Sequence, residues 1–317
     1  MIETKVATAL AAGSATEVAD KLIAKVRSDL GELVPKLLMV FASTKQPLGE
    51  LMPLITAAFP HSTTLGASTA GEFIETGDAK SSACIFALAG DYRIFAGLGT
   101  ALRASAEQSV AAALEGMPSQ VVGYPHRTAI LLLDPLSGSS EEATLITAAL
   151  MGFDLRLAGA AAGDDLALKS TQVALGNQVI SDGAIVATIF SKQPLGVGVC
   201  HGHEPLSQPL TVTRAEGSVV HEIDGRPAWD VWVERTRAAT TKLGFDPTQI
   251  PYNDVGGFLL RFEAGLSQGD AFKIRAPLFR VGDHSIGFAC GIPEGSVIRI
   301  TESEPSRQID SAREAAR

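Results

Sequence analysis

The chain has 317 residues, of which 46% are hydrophobic and 19% are charged, and this balance excludes a globally disordered protein. Its length suffices for about two or three domains. Its net charge of −9 argues against a nucleic-acid or anionic-lipid partner, because both are bound through clusters of Lys and Arg.

The pattern of apolar residues gives no reason to expect a secretory leader or a membrane-spanning segment. The first residues lack a basic segment followed by an apolar core, and no apolar run is long enough to cross a bilayer. The cysteines, Cys84, Cys200 and Cys290, lie far apart and outside any CxxC spacing. They are typical of buried thiols in a cytoplasmic protein, and not of disulfides or zinc ligands.

Strands and helices are predicted to alternate over the first hundred residues. In chain order the pattern predicts a strand at 4–12, a helix at 15–30, a strand at 37–41, a helix at 47–59, a strand with its turn at 63–71, and strands at 83–89 and 92–98. The apolar run at 37–41 is typical of a strand that a parallel sheet buries on both faces. Gly90-Asp91 predicts a hairpin between the last two strands.

The same order then repeats. Residues 37–41 (LLMVF) and 65–72 (LGASTAGE) correspond to 129–133 (AILLL) and 157–164 (LAGAAAGD). The first residues of 37–41 and 129–133 are 92 apart, and the glycines of the two turns are 93 apart. So constant an offset indicates internal duplication. A duplicated fold commonly forms one pocket between its related halves.

The second copy is predicted to contain the same elements as the first. They are a helix at 104–115 that leads into it, a strand at 129–133, a helix at 140–151, a strand with its turn at 157–165, a hairpin about Gly176-Asn177, and strands at 184–190 and 196–200. The expected fold class is therefore α/β of mixed α+β type. It consists of duplicated βαβ units that each end in antiparallel strands, and it is not a doubly wound nucleotide fold.

Beyond residue 204 the pattern changes to one rich in antiparallel strands. The predicted elements are strands at 210–215, 218–222, 258–262, 271–274, 284–289 and 296–300, and a helix that begins near Trp229. This part of the chain is therefore expected to form a separate, strand-rich domain.

Two domains follow from this change of pattern, an N-terminal one over 1–205 and a C-terminal one over 206–317. The two internal copies of the first domain are expected at about 33–102 and 125–203. The polar stretch at 306–317 looks like a helix that is just beginning. We therefore expect the second domain to be truncated in this sequence.

Two turns of small residues carry the main candidates for ligand contact. Backbone N–H groups in such turns can bind a carboxylate or a phosphate, and both turns end in carboxylates that could receive an ammonium group. An amino acid or a similar small zwitterion would suit this combination. The candidate ligand-binding residues are Gly66, Ser68, Thr69, Gly71, Glu72, Gly159, Gly163, Asp164 and Asp165. The alternative is that these small residues only allow close packing of helix on strand.

Two polar residues of the second domain are further candidates for ligand binding. Arg226, in the turn Asp224-Gly225-Arg226-Pro227, could clamp a carboxylate, although the turn also suits the start of a helix. Asn253 lies in a loop rich in hydrogen-bonding groups. Arg226 would bind the carboxylate at a domain interface, and the loop of Asn253 is predicted to line the same cleft.

Two other kinds of chemistry stay open. Ser68 lies in a near match to the GxSxG nucleophile elbow, since Ala70 replaces the last glycine, and a hydrolase would also need a histidine and an acid nearby. His201 and His203 would face the same side of a strand, and His201 could ligate a haem iron. A solvated strand end explains the two histidines as well.

Five segments of the chain resemble the FIST family of bacterial sensory proteins, in both its N-terminal and its C-terminal regions. The segments are LGASTAGEF (65–73), LAGAAAGDD (157–165), VCHGHEPL (199–206), TVTRAEGSVVHEIDGRPAWDVW (211–232) and GDAFKIRAPLF (269–279). The resemblance covers nearly the whole chain, and 211–232 is its most specific part. The chain departs from the family pattern at Ala67, where a cysteine is frequent, and at His203, where an aromatic residue is expected.

The resemblance implies a non-enzymatic cytoplasmic sensor that binds a small ligand in bacterial signal transduction, including two-component systems. It implies a histidine kinase or a cyclic-di-GMP enzyme as signalling partner, and an amino acid as ligand. A subgroup of such proteins resembles nitric-oxide sensors that bind haem, which would make His201 the iron ligand. A haem-bound nitric-oxide sensor is therefore the alternative function, and a hydrolase-like enzyme that uses Ser68 is the third.

Overall fold

The computed structural model describes residues 3–152, 155–269 and 271–317. The chain divides into two compact units, one that ends at Val197 and one that begins at Gly198. The sequence predicted this boundary at residues 205–206. It lies earlier because the short strand His203–Pro205 pairs with a strand near the end of the second unit.

The first unit begins with one αβ copy. Its elements are β1 (Lys5–Ala12), α1 (Ala15–Leu30), β2 (Pro35–Ala42), α2 (Leu48–Ala58), β3 (Thr63–Ser68), β4 (Glu72–Ile74), β5 (Gly77–Ala79) and β6 (Ser82–Ala89). Helix α1 starts at a capping box, in which Ser14 and Glu17 bond each other's backbone N–H groups. Its buried residues follow the helical period, so one face packs on the sheet.

The second copy repeats the first element for element. It contains β7 (Arg93–Thr100), α3 (Ala106–Leu114), β8 (His126–Leu133), α4 (Ser140–Met151), β9 (Arg156–Ala161), β10 (Val173–Leu175), β11 (Gln178–Ile180) and β12 (Gly183–Ser191). The predicted helix at 140–151 and the hairpin about Gly176-Asn177 are both confirmed.

Each copy forms a sheet with the same strand order. The first sheet has the order β1-β6-β2-β3-β10-β11, and the second has the order β7-β12-β8-β9. The pairs β2–β3 and β8–β9 are parallel, and the other pairs within a copy are antiparallel. The predicted internal duplication and the mixed α+β class are therefore confirmed. The hairpin β10–β11 extends the first sheet, although it comes from the second copy.

The predicted hairpin about Gly90-Asp91 is wrong. Strand β6 pairs with β1 and β2, whereas β7 pairs with β12 and is the first strand of the second copy. The copies therefore run over Lys5–Ala89 and Arg93–Ser191. The predicted copies, at about 33–102 and 125–203, left out β1 and α1, and assigned β7 to the first copy. No strand forms at 196–200, where one was expected.

The first unit has four layers, with two sheets between two pairs of helices. Alternate residues of β2 show this arrangement: Leu38 and Val40 pack with α1 and α2, whereas Leu37 packs with residues of the second sheet. A separate cluster joins α3 and α4 to the outer face of the second sheet. The period-two alternation of the strands thus fills both sides of each sheet with apolar side chains.

The second unit is rich in strands, as predicted. It contains β13 (His203–Pro205), β14 (Leu210–Glu216), β15 (Val219–Ile223), β16 (Arg226–Pro227), α5 (Ala228–Lys242), α6 (Gly256–Arg261), β17 (Ala264–Gln268), β18 (Ala271–Arg275), β19 (Pro277–Val281), β20 (Ser285–Phe288), β21 (Val297–Ser303) and α7 (Pro305–Ala315). The main sheet order is β18-β17-β21-β14-β15-β20-β19, with β13 beside β21 and β16 beside β15.

The core of the second unit is aromatic. Trp232 is fully buried, packs edge-on against Phe288, and donates its indole N–H to the carbonyl of Phe262 at 3.2 Å. Residues 258–262 were predicted to form a strand, but most of them belong to helix α6, which buries Phe258 and Leu259. A short apolar run has the same appearance in a buried strand and in a buried helix, which explains the error.

All three cysteines are free thiols, as expected. Cys84 is buried, and burial raises its pKa to about 11. Cys200 is exposed and Cys290 is half-buried, so the expectation that all three are buried is wrong. Among the residues that the structure describes, no helix is both long and apolar enough to cross a membrane.

Candidate functional site

The structure brings the two small-residue turns together at the carboxyl end of β3. The backbone N–H of Gly163 donates to the carbonyl of Ser68 at 2.7 Å, and that of Asp165 donates to the carbonyl of Thr69 at 3.1 Å. Ser68 N–H in turn donates to the carbonyl of Gln172 at 2.9 Å. The turns therefore form one joint between the two copies.

Asp165 fixes this joint to the end of β2. Its Oδ2 accepts the Ser43 hydroxyl and the Thr44 backbone N–H, each at 3.0 Å, and also the Thr44 hydroxyl. The Thr44 hydroxyl is the main cause that lowers the pKa of Asp165 below its ordinary value. The carboxylate therefore acts as a bridge between two loops.

Asp164 and Glu72 are also bonded to the chain itself. Asp164 accepts the backbone N–H groups of Leu168, Lys169 and Ser170 at 2.8, 2.6 and 2.9 Å. Burial by itself would raise the pKa of Asp164, but these N–H donors outweigh it and leave the pKa lowered. Glu72 accepts the Thr69 hydroxyl at 2.5 Å and the Ser82 hydroxyl at 2.8 Å. These carboxylates therefore hold the turns in place.

A cavity of about 200 Å³ opens beside the joint. Its lining residues are Ser43, Thr44, Gln46, Pro47, Leu48, Ser68, Ser170 and Gln172. The cavity lies at the start of α2, whose N-cap, Pro47, makes no side-chain capping hydrogen bond. The first N–H groups of a helix and its dipole favour an anion at this position.

Gln46 is the least satisfied polar residue of the cavity wall. Its Nε2 donates to the carbonyls of Gly13 and Ser81 at 2.9 and 3.0 Å, which fixes the orientation of the amide. Its Oε1 is buried and has no hydrogen-bond partner among the described residues. A buried acceptor without a partner costs free energy, so a donor on a bound ligand would be favoured here.

The glycines of the turns differ in what they allow. A Cβ on Gly66 would approach the Met52 sulfur to 2.9 Å, and a Cβ on Gly163 would approach the Ala70 nitrogen to the same distance. A Cβ on Gly159 would lie 2.0 Å from the Leu131 carbonyl oxygen. These three glycines therefore permit close packing, which is the alternative that the sequence left open. Gly71 has open space around it.

Ser68 is a structural residue of the joint. It is buried, and its Oγ accepts the backbone N–H of Gln172 at 2.8 Å. The hydrogen bonds of its hydroxyl go to backbone atoms. No general base is among the hydrogen-bond partners of the Ser68 hydroxyl within the described residues. The expectation that the protein is not an enzyme stays a prediction.

A larger cavity, of about 570 Å³, lies at the amino ends of β8 and β9 and was missed by the sequence interpretation. Arg127 and Arg156 line it together with His126, and its described lining contains no carboxylate. Arg127 donates to the carbonyls of Ser119 and Met151. The available signal was a basic residue at the start of each apolar run, HRTAILLL and RLAGAA.

The sequence also matches a known protein family. A model of the FIST N domain matches residues 36–226, which is more than half of the chain. This chain belongs to the FIST family. Membership implies a sensory role in signalling in which a small ligand is bound.

Two further similarities are weaker. An uncharacterized protein of Methanocaldococcus jannaschii is 30% identical over 158 residues, which are 49% of this chain and 30% of that relative. The FIST chain thus spans less than a third of that protein's length. A cyanuric acid hydrolase from A. caulinodans shares 11% identity at a TM-score of 0.31, over 60% of this chain and 72% of the hydrolase. So low a score carries no argument about fold or activity.

The two candidate histidines, His201 and His203, lie in the second unit. His201 is exposed and precedes β13, and its Nδ1 accepts the His203 backbone N–H at 3.3 Å. His203 is half-buried, with its Nε2 3.3 Å from the Glu263 carboxylate. Burial raises the pKa of Glu263 to about 7, and burial together with His201 lowers the pKa of His203. Both shifts favour neutral partners joined by a hydrogen bond.

Haem would fit poorly at His201. An iron ligand of a haem protein lies in an apolar cleft that covers the macrocycle, whereas His201 is exposed and lines neither of the two cavities described above. The nearby charged pair of Glu204 and Arg307 is likewise at the surface. The prediction of haem binding at His201 therefore gains no support from the geometry.

Arg226 and Asn253 also belong to the second unit. Arg226 forms an ion pair with Glu234 at 2.6 Å, on the exposed side of the start of α5. Asn253 lies in a short 3₁₀ turn, Tyr252–Asp254, and is exposed. That Arg226 and Asn253 bind the ligand stays a prediction.

Proposed function

We propose that this FIST protein senses a small zwitterion, such as an amino acid, in the 200 Å³ cavity beside the joint. The observation that carries the proposal is the buried, unpartnered Oε1 of Gln46 in a wall that also contains the start of α2, where no side chain caps the first N–H groups. The cavity is smaller than those that hold drug-sized ligands, typically about 300–1,000 Å³, and therefore suits a small molecule.

The two charged groups of an amino acid would have different partners in this cavity. The start of α2 favours the carboxylate, because the first N–H groups of the helix are donors and lie at the positive end of its dipole. Gln46 Oε1 favours the ammonium group. The ammonium partners suggested by the sequence, Glu72 and Asp164, instead have their carboxylates bonded within the turns.

Binding would be transmitted through the joint to a signalling partner. The cavity wall contains both the β2–α2 loop and the segment before β10, so a ligand that bridges them changes their relative freedom. A histidine kinase or a cyclic-di-GMP enzyme is the proposed partner, in the cytoplasm of a bacterium. A non-enzymatic mode of action is part of this proposal.

The test is a binding assay with a variant that fills the cavity. Thermal-shift measurements with each of the twenty amino acids select ligands, and calorimetry then measures their dissociation constants. Ser170→Phe places a large side chain at an exposed position of the lining. Ala167→Phe is the matched control, because Ala167 is exposed in the same loop but does not line the cavity.

We expect at least one amino acid to bind, Ser170→Phe to weaken it at least about tenfold, and Ala167→Phe to leave the affinity unchanged. Binding of no amino acid would overturn the proposal, and so would equal affinities in the two variants. A circular-dichroism spectrum of each variant confirms that it is folded.

A further inference from the structure

The outer edge of the second sheet is open. Strand β9 pairs with β8 on one side and has no strand on the other among the described residues. Residues 158–161 are exposed, whereas their counterparts in β3, from Leu65 to Ser68, are buried. Hairpin β10–β11 covers β3, so the two equivalent edges differ in whether they have a partner.

Apart from Arg156 at its start, the open edge lacks the features that usually protect a strand from association. Residues 158–161 read Ala-Gly-Ala-Ala, without the lysines, prolines or bulges that soluble proteins place on edge strands. A groove of about 260 Å³ lies beside it, lined by Leu131, Leu133 and Leu157 among others. Leu145 and Leu150 of α4 are 63% and 56% exposed nearby in the chain. The groove and the edge residues 158–161 are therefore apolar and have no strand partner among the described residues.

The first copy contains a hairpin that is open in the complementary way. Hairpin β4–β5 occupies the place in its own copy that β10–β11 occupies in the second, because both precede the last strand. Strand β10 pairs with β11 and with β3, whereas β4 pairs with β5 alone among the described strands. Phe73 of β4 is 75% exposed, whereas Ala174, at the equivalent position of β10, is fully buried.

We propose that two copies of this chain associate head to tail, with β4 of one chain added as an antiparallel strand to β9 of the next. The contact reproduces, between chains, the β10–β3 contact that each chain already makes internally. Such strand addition supplies main-chain hydrogen bonds and side-chain packing at once. Because the two surfaces differ, the contact is heterologous and leaves one free edge of each kind on a dimer.

The internal contact fixes the register of the proposed one. Within the chain, Leu175 pairs with Leu65 and Ala174 with Gly66. Transferred to the open edges, the same register places Ile74 opposite Ala158 and Phe73 opposite Gly159. An aromatic ring opposite an edge glycine is a favourable cross-strand arrangement, since the ring covers backbone that a glycine leaves bare.

A disulfide between two different variants tests this register. Residues opposite each other in an antiparallel pair have Cα atoms about 4.5–5.5 Å apart, within the range that a disulfide spans. Chains with Ile74→Cys are mixed with chains with Ala158→Cys, both in a Cys200→Ser background that removes the exposed native thiol. The control mixture replaces Ala158→Cys by Val122→Cys, which is fully exposed elsewhere in the same unit.

We expect a covalent dimer on non-reducing gels from the first mixture and at most trace amounts from the control. Sedimentation velocity of the unmodified chain should show concentration-dependent association that Phe73→Asp abolishes, because a charge would be buried opposite Gly159. Equal cross-linking in both mixtures overturns the register. A monomer at all concentrations that yields no specific cross-link overturns the association, and an edge covered by some other protein would produce this result.

Discussion

The two αβ copies have the same order of elements, but they carry different residues directly after an equivalent strand. Ser43 directly follows β2, and Asp134 directly follows β8. Their backbone N–H groups make equivalent bonds, to the carbonyls of Ser82 and Gly183, each at 3.0 Å. The side chains then diverge, because Ser43 lines a cavity, whereas the Asp134 carboxylate accepts hydrogen bonds from its own copy.

The Asp134 carboxylate has a structural role, because it accepts several hydrogen bonds from within the chain. Its oxygens accept the Leu136 N–H at 2.9 Å, the Asp182 N–H at 2.6 Å and the Thr171 hydroxyl. These donors come from three separate segments of the second copy. The comparison teaches that duplication preserved the strand ends, whereas the side chain there decides between a ligand cavity and an internal network.

The largest effect is expected from removing this network. Asp134→Ala leaves buried donors unpaired and should reduce the free energy of unfolding by about 4 kcal/mol, measured by urea denaturation. Ser43→Ala should reduce the free energy of unfolding by only about 1 kcal/mol, because the Ser43 hydroxyl donates one hydrogen bond, to Asp165. Similar losses in both variants would contradict the contrast drawn between the two copies.

Adding a methyl group to the equivalent glycines sharpens the comparison of the two edges. Gly159→Ala places a Cβ against the rigid Leu131 carbonyl at 2.0 Å, so we expect a loss of about 2–3 kcal/mol. Gly66→Ala meets the end of the flexible Met52 side chain and should cost below about 1 kcal/mol. Thermal unfolding of the two variants decides the order, and a reversed order would refute this account of β9.

A smaller, pH-dependent difference is expected from Asp164, whose counterpart in the first copy is Gly71. The folded-state pKa of Asp164 is lowered from 3.8, so its ionised form contributes stability above that pH, and the contribution is lost as the pH falls through the folded-state pKa. Asp164→Asn should therefore be less stable than wild type by about 1 kcal/mol at pH 7.

The measurement for Asp164 is unfolding free energy across pH 7 to pH 3. The gap between wild type and Asp164→Asn should narrow as the pH falls below the ordinary Asp pKa of 3.8 toward the lowered folded-state pKa, because the carboxylate then becomes protonated. Gly71→Ser serves as the matched control in the first copy, since open space surrounds Gly71. A gap that stays constant with pH would show that the N–H bonds to Asp164 do not depend on its charge.

Local signals predicted the elements of this fold well. The apolar run of β2 and the Gly176-Asn177 turn each depend on a few neighbouring residues, and each is confirmed. The duplication was also predicted, because the two motifs that repeat at an offset of 92–93 residues are each short and local. The pairing of β7 was missed, because its partner β12 lies about ninety residues further along the chain and leaves no local trace.

The hydrogen bonding of the candidate site residues could not be predicted from the sequence. The small-residue turns do meet, yet their carboxylates bond within the chain, and the unpartnered group belongs to Gln46. A sequence shows which residues are polar, whereas the state of their hydrogen bonds depends on loops brought together in three dimensions. For the same reason the cation-lined cavity at Arg127 and Arg156 was not foreseen.

The position of hairpin β10–β11 also constrains the order in which the protein can fold during synthesis. The first copy cannot complete its sheet until residues 173–180 have left the ribosome, because these residues cover β3. Until then the nascent first copy carries an unprotected edge at Leu65–Ala67, for the time needed to synthesise about ninety more residues. Ribosome-bound chaperones would thus be most needed in that interval, and a fragment that ends at β6 would be the species most prone to aggregation.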